Sequence, residues 1–350
     1  MDKLSLHTEW LNRPEDQRFL SMQELHAHNL KKRADSKEQG VALNLMKLIP
    51  SNRNELSLEG AQFTNWSFNQ FCQRVKAPAG YLRSLPSELA AIPLQWSLEH
   101  SRDDAKLYMR QHDNHVSLDA VTSETYGRIY DAEMTDAILA NIDLNTWKIP
   151  SASYASSNPK RATTLYASDR DCFVCLVNDA HPIEFDVNGQ QETLFRGFIC
   201  RNSEVGACTL EIMLFLYRRI CDNRIIHGMQ NSKHFKIRHT AGGPMRFMRE
   251  AKPALQNYIE MSTDSTVNMI KNASNKILGE TENDVSSWLQ QRGFTKSFSK
   301  QITEQATKEP GNPRSLWNIV NAITDKAHSI PYGDERIDLE KQAGKLLELA

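Results

Sequence analysis

The sequence predicts an α+β protein, with a mixed, largely antiparallel sheet core, packed helices and a helical C-terminal region. Three observations predict it. Short strand-like segments separated by turn signals cluster between residues 105 and 238. Helical spacing of apolar residues precedes that block, and after Pro244 helical segments continue to the end. The chain has 350 residues, of which 40% are hydrophobic and 24% charged. That is enough to bury a large core and too apolar for global disorder.

Residues 1–40 read as a flexible N-terminal arm, with His26-Ala27-His28, then Lys31-Lys32-Arg33, then a polar stretch ending at Gly40. The run 41–49 (VALNLMKLI) reads as one strand. Phe68, Phe71, Cys72 and Val75 follow helical spacing, and Thr64 is placed to cap that helix. Pro78 and Pro86 open two further helices, the second reaching about His100. Segments 105–111 and 116–122 flank Asp113-Asn114, which signals a hairpin. Asp131 caps a short helix to about Ile142, and a polar loop, 151–162, follows. Leu165–Ala167, Cys172–Val177, Ile183–Val187 and Leu194–Cys200 then read as strands, with Asn188-Gly189 as a turn. Ser203–Cys221 reads as a buried helix and Phe235–Arg238 as a strand. The helices after Pro244 break near Gly279, Gly293, Pro310–Pro313 and Pro331. Three regions result: the arm, an α+β core over 41–243, and a helical region over 244–350.

Apolar runs such as Ile212–Tyr217 fall far short of the roughly 20 residues that span a membrane. The first residues carry charges where a signal peptide is apolar, so a soluble cytoplasmic protein without membrane contact is expected. Six cysteines in so long a chain suit buried thiols better than a disulfide framework. The formal charge of −1 excludes a uniformly basic or acidic protein, but it hides an asymmetry. Residues 196–252 hold eleven basic and four acidic side chains, a net +7. Salt screens charge beyond about 8–10 Å, so a polyanion responds to this local excess.

Other motifs carry less. Cys172-Phe173-Val174-Cys175 has redox or zinc spacing, but on a strand its two thiols face opposite ways. Cys200, Cys208, Cys221, His227, His234 and His239 are zinc-ligand types at gaps that match no tight knuckle. Asp169 and Asp171 would share a strand face and are the only candidate metal carboxylates, for a lesser reading as a metal-dependent nuclease. Phosphate-loop, dinucleotide and hydrolase signatures are missing from the sequence. No cofactor and no resident metal is therefore expected, and a binding protein is expected over an enzyme.

Three strings are more specific: LYASDRDCFVCLVND from Leu165, FRGFICRNSEVGACTLEIMLFLYRRICDNRIIHG from Phe195, and KIRHTAGG from Lys236. With NLMKLIPSNR, NQFCQRVKAPAGYLRSLPSELAA, SLWNIVNAITDKAHSI and DERIDLEKQAGKLL, they extend one likeness over about 41–350. The chain resembles the phage- and plasmid-borne family labelled DUF932 or UPF0380. That resemblance implies a mobile-element protein, of a kind found where DNA enters cells as a single strand. It implies no catalytic residue set. The family pattern includes Arg201-Asn202-Ser203-Glu204-Val205-Gly206, Cys221-Asp222-Asn223 and Arg238-His239.

In physical terms, Asn202 and Ser203 would cap the following helix and leave backbone donors for a phosphate. Arg218 and Arg219, one helical turn from Asp222, would include at least one internally paired cation. The expected nucleic-acid contacts are Arg196, Arg201, Asn202, Ser203, Arg218, Arg219, Arg224, Lys236, Arg238 and His239. Tyr166, Phe195 and Phe235 are candidate base-stacking rings. The leading expectation is a protein that binds or anneals single-stranded DNA, or RNA. The alternative is an anti-defence or regulatory protein that binds a host protein. Self-association is also expected, with Leu339, Ala343, Leu346 and Leu347 as an amphipathic stripe in the tail.

Overall fold

The computed structural model describes residues 14–50, 55–149, 163–187, 190–218, 223–226, 235–260, 264–328, 330 and 333–350. The chain begins with helix α1 (Met22–Ala34) and strand β1 (Ser36–Ala42). Residues 22–40 are therefore no loose arm. Met22, Leu25, Asn29 and Lys32 fall on one buried face of α1, and β1 pairs along its length with β5 (Asp104–Gln111). The single strand expected over 41–49 is also divided. A 3-10 turn at Leu43–Leu45 separates β1 from β2 (Leu48–Pro50), so that Leu43 can enter the core.

Strands β3 (Leu56–Leu58) and β4 (Ala61–Phe63) lead into α2 (Asn65–Arg74). Thr64 caps α2 as its sequence predicts, its hydroxyl accepting from the Ser67 N–H at 3.1 Å. Helices α3 (Ala79–Leu82) and α4 (Ser87–Glu99) follow Pro78 and Pro86, and β5 turns into β6 (Val116–Ser123). The first sheet has the order β1-β5-β6-β4-β3-β2, antiparallel except where β4 meets β6. Its core is closed by α2 and α4 through Phe68, Phe71, Leu94 and Leu98.

Helix α5 (Asp131–Leu139), β7 (Trp147–Lys148) and β8 (Leu165–Ala167) connect to the second sheet. There β9 (Cys172–Val187) and β10 (Gln190–Asn202) form one long hairpin, whose expected Asn188-Gly189 turn lies outside the described residues. The two strands expected in β9 are one. The ladder shifts register between Leu194 and Arg196, which accommodates Pro182 without ending the strand. Strands β11 (Leu210–Arg218), β12 (Asn223–Ile226) and β13 (Phe235–Ile237) complete the sheet.

Of the buried helix expected over 203–221, residues 203–218 are instead a turn and β11, and 219–221 lie outside the described residues. This strand is buried on both faces, so alternation is missing and only its pairing with β10 identifies it. Leu210 and Ile212 pack on one face with Cys172, Val174 and Leu176. Met213 and Phe215 pack on the other with Phe173, Cys175 and Val177. Cys172 and Cys175 therefore diverge, as strand geometry requires.

After a short α6 (Gly243–Arg246) and a π-helical turn (Phe247–Ala251), the chain is helical: α7 (Lys252–Glu260), α8 (Asp264–Asn275), α9 (Glu282–Gln290), α10 (Lys296–Ala306), α11 (Leu316–His328) and α12 (Gly333–Leu347). Ile270, Leu289, Ile302 and Trp317 share a core with Ile183, Phe185, Leu194 and Leu216 of the sheet. Residue 244 marks a change of secondary structure within that shared packing. The tail stripe, Leu339, Ala343, Leu346 and Leu347, is buried in the same core and is no free face. Among the described residues, no helix is long and apolar enough to cross a membrane.

Candidate functional site

The segment Arg201-Asn202-Ser203-Glu204-Val205-Gly206 is the turn from β10 into β11, with Gly206 at φ +82° where a side chain would be strained. Because β11 follows, Asn202 and Ser203 cap no helix and offer no phosphate site. Both are fully buried. The Ser203 hydroxyl donates to the Arg170 carbonyl and accepts from the Ala207 N–H at 2.9 Å. The Asn202 amide donates to the Ile129 carbonyl and to Asp131 Oδ1, both at 2.8 Å.

Glu204 carries the turn into a closed ionic cluster. Lys32 Nζ lies 2.9 Å from Asp131 Oδ2 and 3.0 Å from Glu204 Oε2, with all three side chains buried. The Tyr108 hydroxyl donates to Glu204 Oε2 at 2.9 Å, and the Asp131 N–H donates to Glu204 Oε1 at 2.8 Å. Val205 anchors the other side, its carbonyl accepting from Trp66 Nε1 at 2.9 Å and Gln70 Nε2 at 2.7 Å. Arg128 lies 4.0 Å over the Tyr108 ring, donates to the Glu204 carbonyl and pairs with Glu38 at 2.8 Å. The turn therefore joins both sheets, α1, α2 and α5.

Two carboxylates share one ammonium, and that imbalance sets the titration. Burial, reinforced by the Glu204 charge and opposed by Lys32, pushes Asp131 up to about 7. Burial also opposes ionisation of Glu204, but Lys32 and the Asp131 N–H outweigh it and hold this carboxyl below its ordinary value. Burial alone would lower Lys32; Asp131 and Glu204 together raise it well above the usual ammonium value. With Lys32, Asp131 and Glu204 all at 4% exposure or less, the cluster can hold a proton and lock packing, but it offers no surface to a macromolecule.

The expected phosphate contacts are divided by the fold. Arg201 and Lys236 clamp Glu211 from two sides, at 2.8 and 2.9 Å, so both cations are partly spent internally. Arg196 is half-buried within β10. Arg218 ends β11 and Arg224 lies in β12, with side chains outside the described residues; Arg219 lies outside them altogether. The expected pairing of Arg218 and Arg219 with Asp222 lies outside the described residues. His239 is no cation at neutral pH, because burial lowers it to about 4. It stacks on Tyr126 with centroids 5.2 Å apart. Tyr166 and Phe195 are buried core rings and cannot stack on bases. The Phe235 side chain lies outside the described residues.

What remains is an exposed basic edge. Lys236 and Arg238 face outward on either side of buried Ile237. Gly243 packs so closely on the Arg238 carbonyl that an added Cβ would sit 2.6 Å from it. This approach sets α6 and the π-turn against the end of β13. They present Arg246 and Arg249 with Met245 and Met248, all exposed. Arg246 pairs with Glu250 at 2.9 Å, whereas Arg238 and Arg249 have no carboxylate partner among the described residues.

Asp169 and Asp171 do not share a strand face. They lie in the β8–β9 turn, where Asp171 accepts from the Ser168 hydroxyl at 2.6 Å and Asp169 is exposed. Among the described residues, no group of three His, Cys, Asp or Glu side chains is placed to hold a metal. Of the candidate zinc ligands, Cys221, His227 and His234 lie outside the described residues, and Cys200 is buried.

Sequence reading missed Lys32, Tyr108 and Arg128, and it took Asp131 only for a cap. Asp131 is instead the first residue of α5, following Tyr130 at the cap position. One signal was present for Lys32: it continues the helical spacing of Met22, Leu25 and Asn29.

Comparison with known proteins bears on part of these features. No curated protein and no solved structure matches the chain. Residues 159–330 match the family described as domain of unknown function DUF932. The matched segment contains the Glu204 turn and the basic edge, while Lys32, Tyr108 and Asp131 precede it. Over residues 159–330 the chain belongs to the DUF932 family.

Proposed function

We propose that this chain is a mobile-element protein that binds single-stranded nucleic acid, with strand annealing as its role. The exposed edge around Arg238 and Arg249 carries the reading. Guanidiniums there that have no carboxylate partner among the described residues can neutralise phosphates, and Met245 and Met248 offer polarizable apolar contact to unstacked bases. A π-turn at this position suits a functional surface, since such turns recur at sites. The phage and plasmid setting comes from the sequence resemblance.

The test is fluorescence anisotropy with a labelled single-stranded DNA about 40 nucleotides long, beside its duplex, across a salt series. Each neutralised phosphate contributes about −0.7 to the log–log salt slope. Replacing both Arg238 and Arg249 with Ala should flatten the slope by about 1.4 while leaving the circular dichroism spectrum unchanged. An unchanged slope in the folded double variant would remove this edge from the reading. No binding at low salt would remove the reading itself and direct the search to a host protein partner.

A further inference from the structure

We propose that the outer face of α4 is the interface of a two-fold homodimer. Helix α4 buries Ala90, Leu94 and Leu98 against the first sheet. Its opposite face, where a monomeric surface helix carries polar residues, presents Leu89, Ile92 and Trp96, which are 55, 69 and 62% exposed. Pro93 is exposed between them. Beside them runs the 45–49 segment, with Leu45 and Ile49 also exposed. Gln95 ties it to the helix, accepting from the Leu48 N–H at 2.9 Å and donating to the Met46 carbonyl at 3.4 Å. Trp96 is held ready by stacking on His100, with centroids 4.3 Å apart.

The area identifies the occupant. Large side chains present roughly 150–250 Å² each, so the exposed parts of Leu45, Ile49, Leu89, Ile92 and Trp96 come to on the order of 600 Å². Two such faces together reach roughly 1,200 Å², the lower bound for a specific interface. The largest apolar patch on a typical monomer is about 300–600 Å² and is often functional, so this face stands at the top of that range. The face is also self-complementary. An antiparallel copy, with its axis between Ile92 and Pro93, sets Leu89 against Trp96 of the second copy. The acidic first turn at Glu88 then approaches the His100 end of its mate. A two-fold contact requires this reciprocity. The surface shares no residue with the basic edge and does not rest on the nucleic-acid reading.

Sedimentation velocity of the full chain from about 1 to 100 µM tests it. The expected species has twice the 40.0 kDa chain mass. Ile92→Glu and, separately, Trp96→Glu should each weaken association at least 100-fold without altering circular dichroism. Ile92→Cys, close to the axis, should yield an oxidised covalent dimer that the wild-type chain does not form. A wild-type chain that stays monomeric at 100 µM would overturn the proposal. So would a dimer that persists in folded Ile92→Glu.

Discussion

Replacing Lys32 with Met is the most direct perturbation of the cluster that joins the two sheets. Met keeps the length and apolar stem of Lys32 but removes the ammonium that faces Asp131 at 2.9 Å and Glu204 at 3.0 Å. Each contact has a gross Coulomb energy of about 6 kcal/mol at an effective dielectric of 20. Desolvation offsets several kcal/mol per ion, so the intact cluster contributes little net stability. Deleting its cation is different, because two buried carboxylates then face each other alone. The expected loss is about 3–5 kcal/mol at pH 8. At the upper end of small-protein urea slopes, about 3 kcal/mol/M, the midpoint moves down by roughly 1–1.7 M.

The pH dependence provides the sharper test. Without Lys32, both carboxyls have folded-state pKa values above their unfolded values. The folded state then binds more protons across that window, so stability falls as pH rises and is recovered on acidification. The Lys32→Met penalty should therefore be smaller at pH 5.5 than at pH 8. Urea titrations followed by circular dichroism at both pH values give the comparison. A penalty below about 1 kcal/mol at pH 8, or one independent of pH, would refute a closed, buried cluster.

Two further outcomes follow from the same geometry. Asp131, raised from 3.8 to about 7, makes the folded state bind the extra proton between those values. Wild-type stability should therefore fall by up to about 1.4 kcal/mol per pH unit as pH rises from 5 towards 7 and level off above it. Asp131→Asn should flatten that slope in urea titrations at pH 5, 6, 7 and 8; an equal slope would assign the proton elsewhere. Gly197→Ala should lower thermal stability by about 1–3 kcal/mol or more, since its Cβ would run into the Phe215 ring. Adding Phe215→Leu should recover part of that loss, and strict additivity of the two changes would show that they do not touch.

Legibility in the sequence followed how locally each element is determined. Thr64 needs only Ser67 to cap α2, and the 105–122 hairpin needs only its own turn, so both were readable. Strand β11 was misread because its identity depends on β10, from which it is separated by a turn that resembles a helix start. The expected binding residues divided for a similar reason. A sequence counts charges, but it does not show that Glu211 lies opposite Lys236 in the β11–β13 register and beside Arg201.

By itself the sequence determined the fold class, the divergence of Cys172 and Cys175, the local excess of positive charge, and the resemblance to DUF932. These depend on period, composition and order along the chain. Tertiary structure alone decided which charges are free. It buried Lys32 with Asp131 and Glu204 across 99 and 172 positions of chain, and left Arg238 and Arg249 at the surface. The physical reason is that an ion pair depends on separation in space and on access to water, and neither is a property of sequence distance.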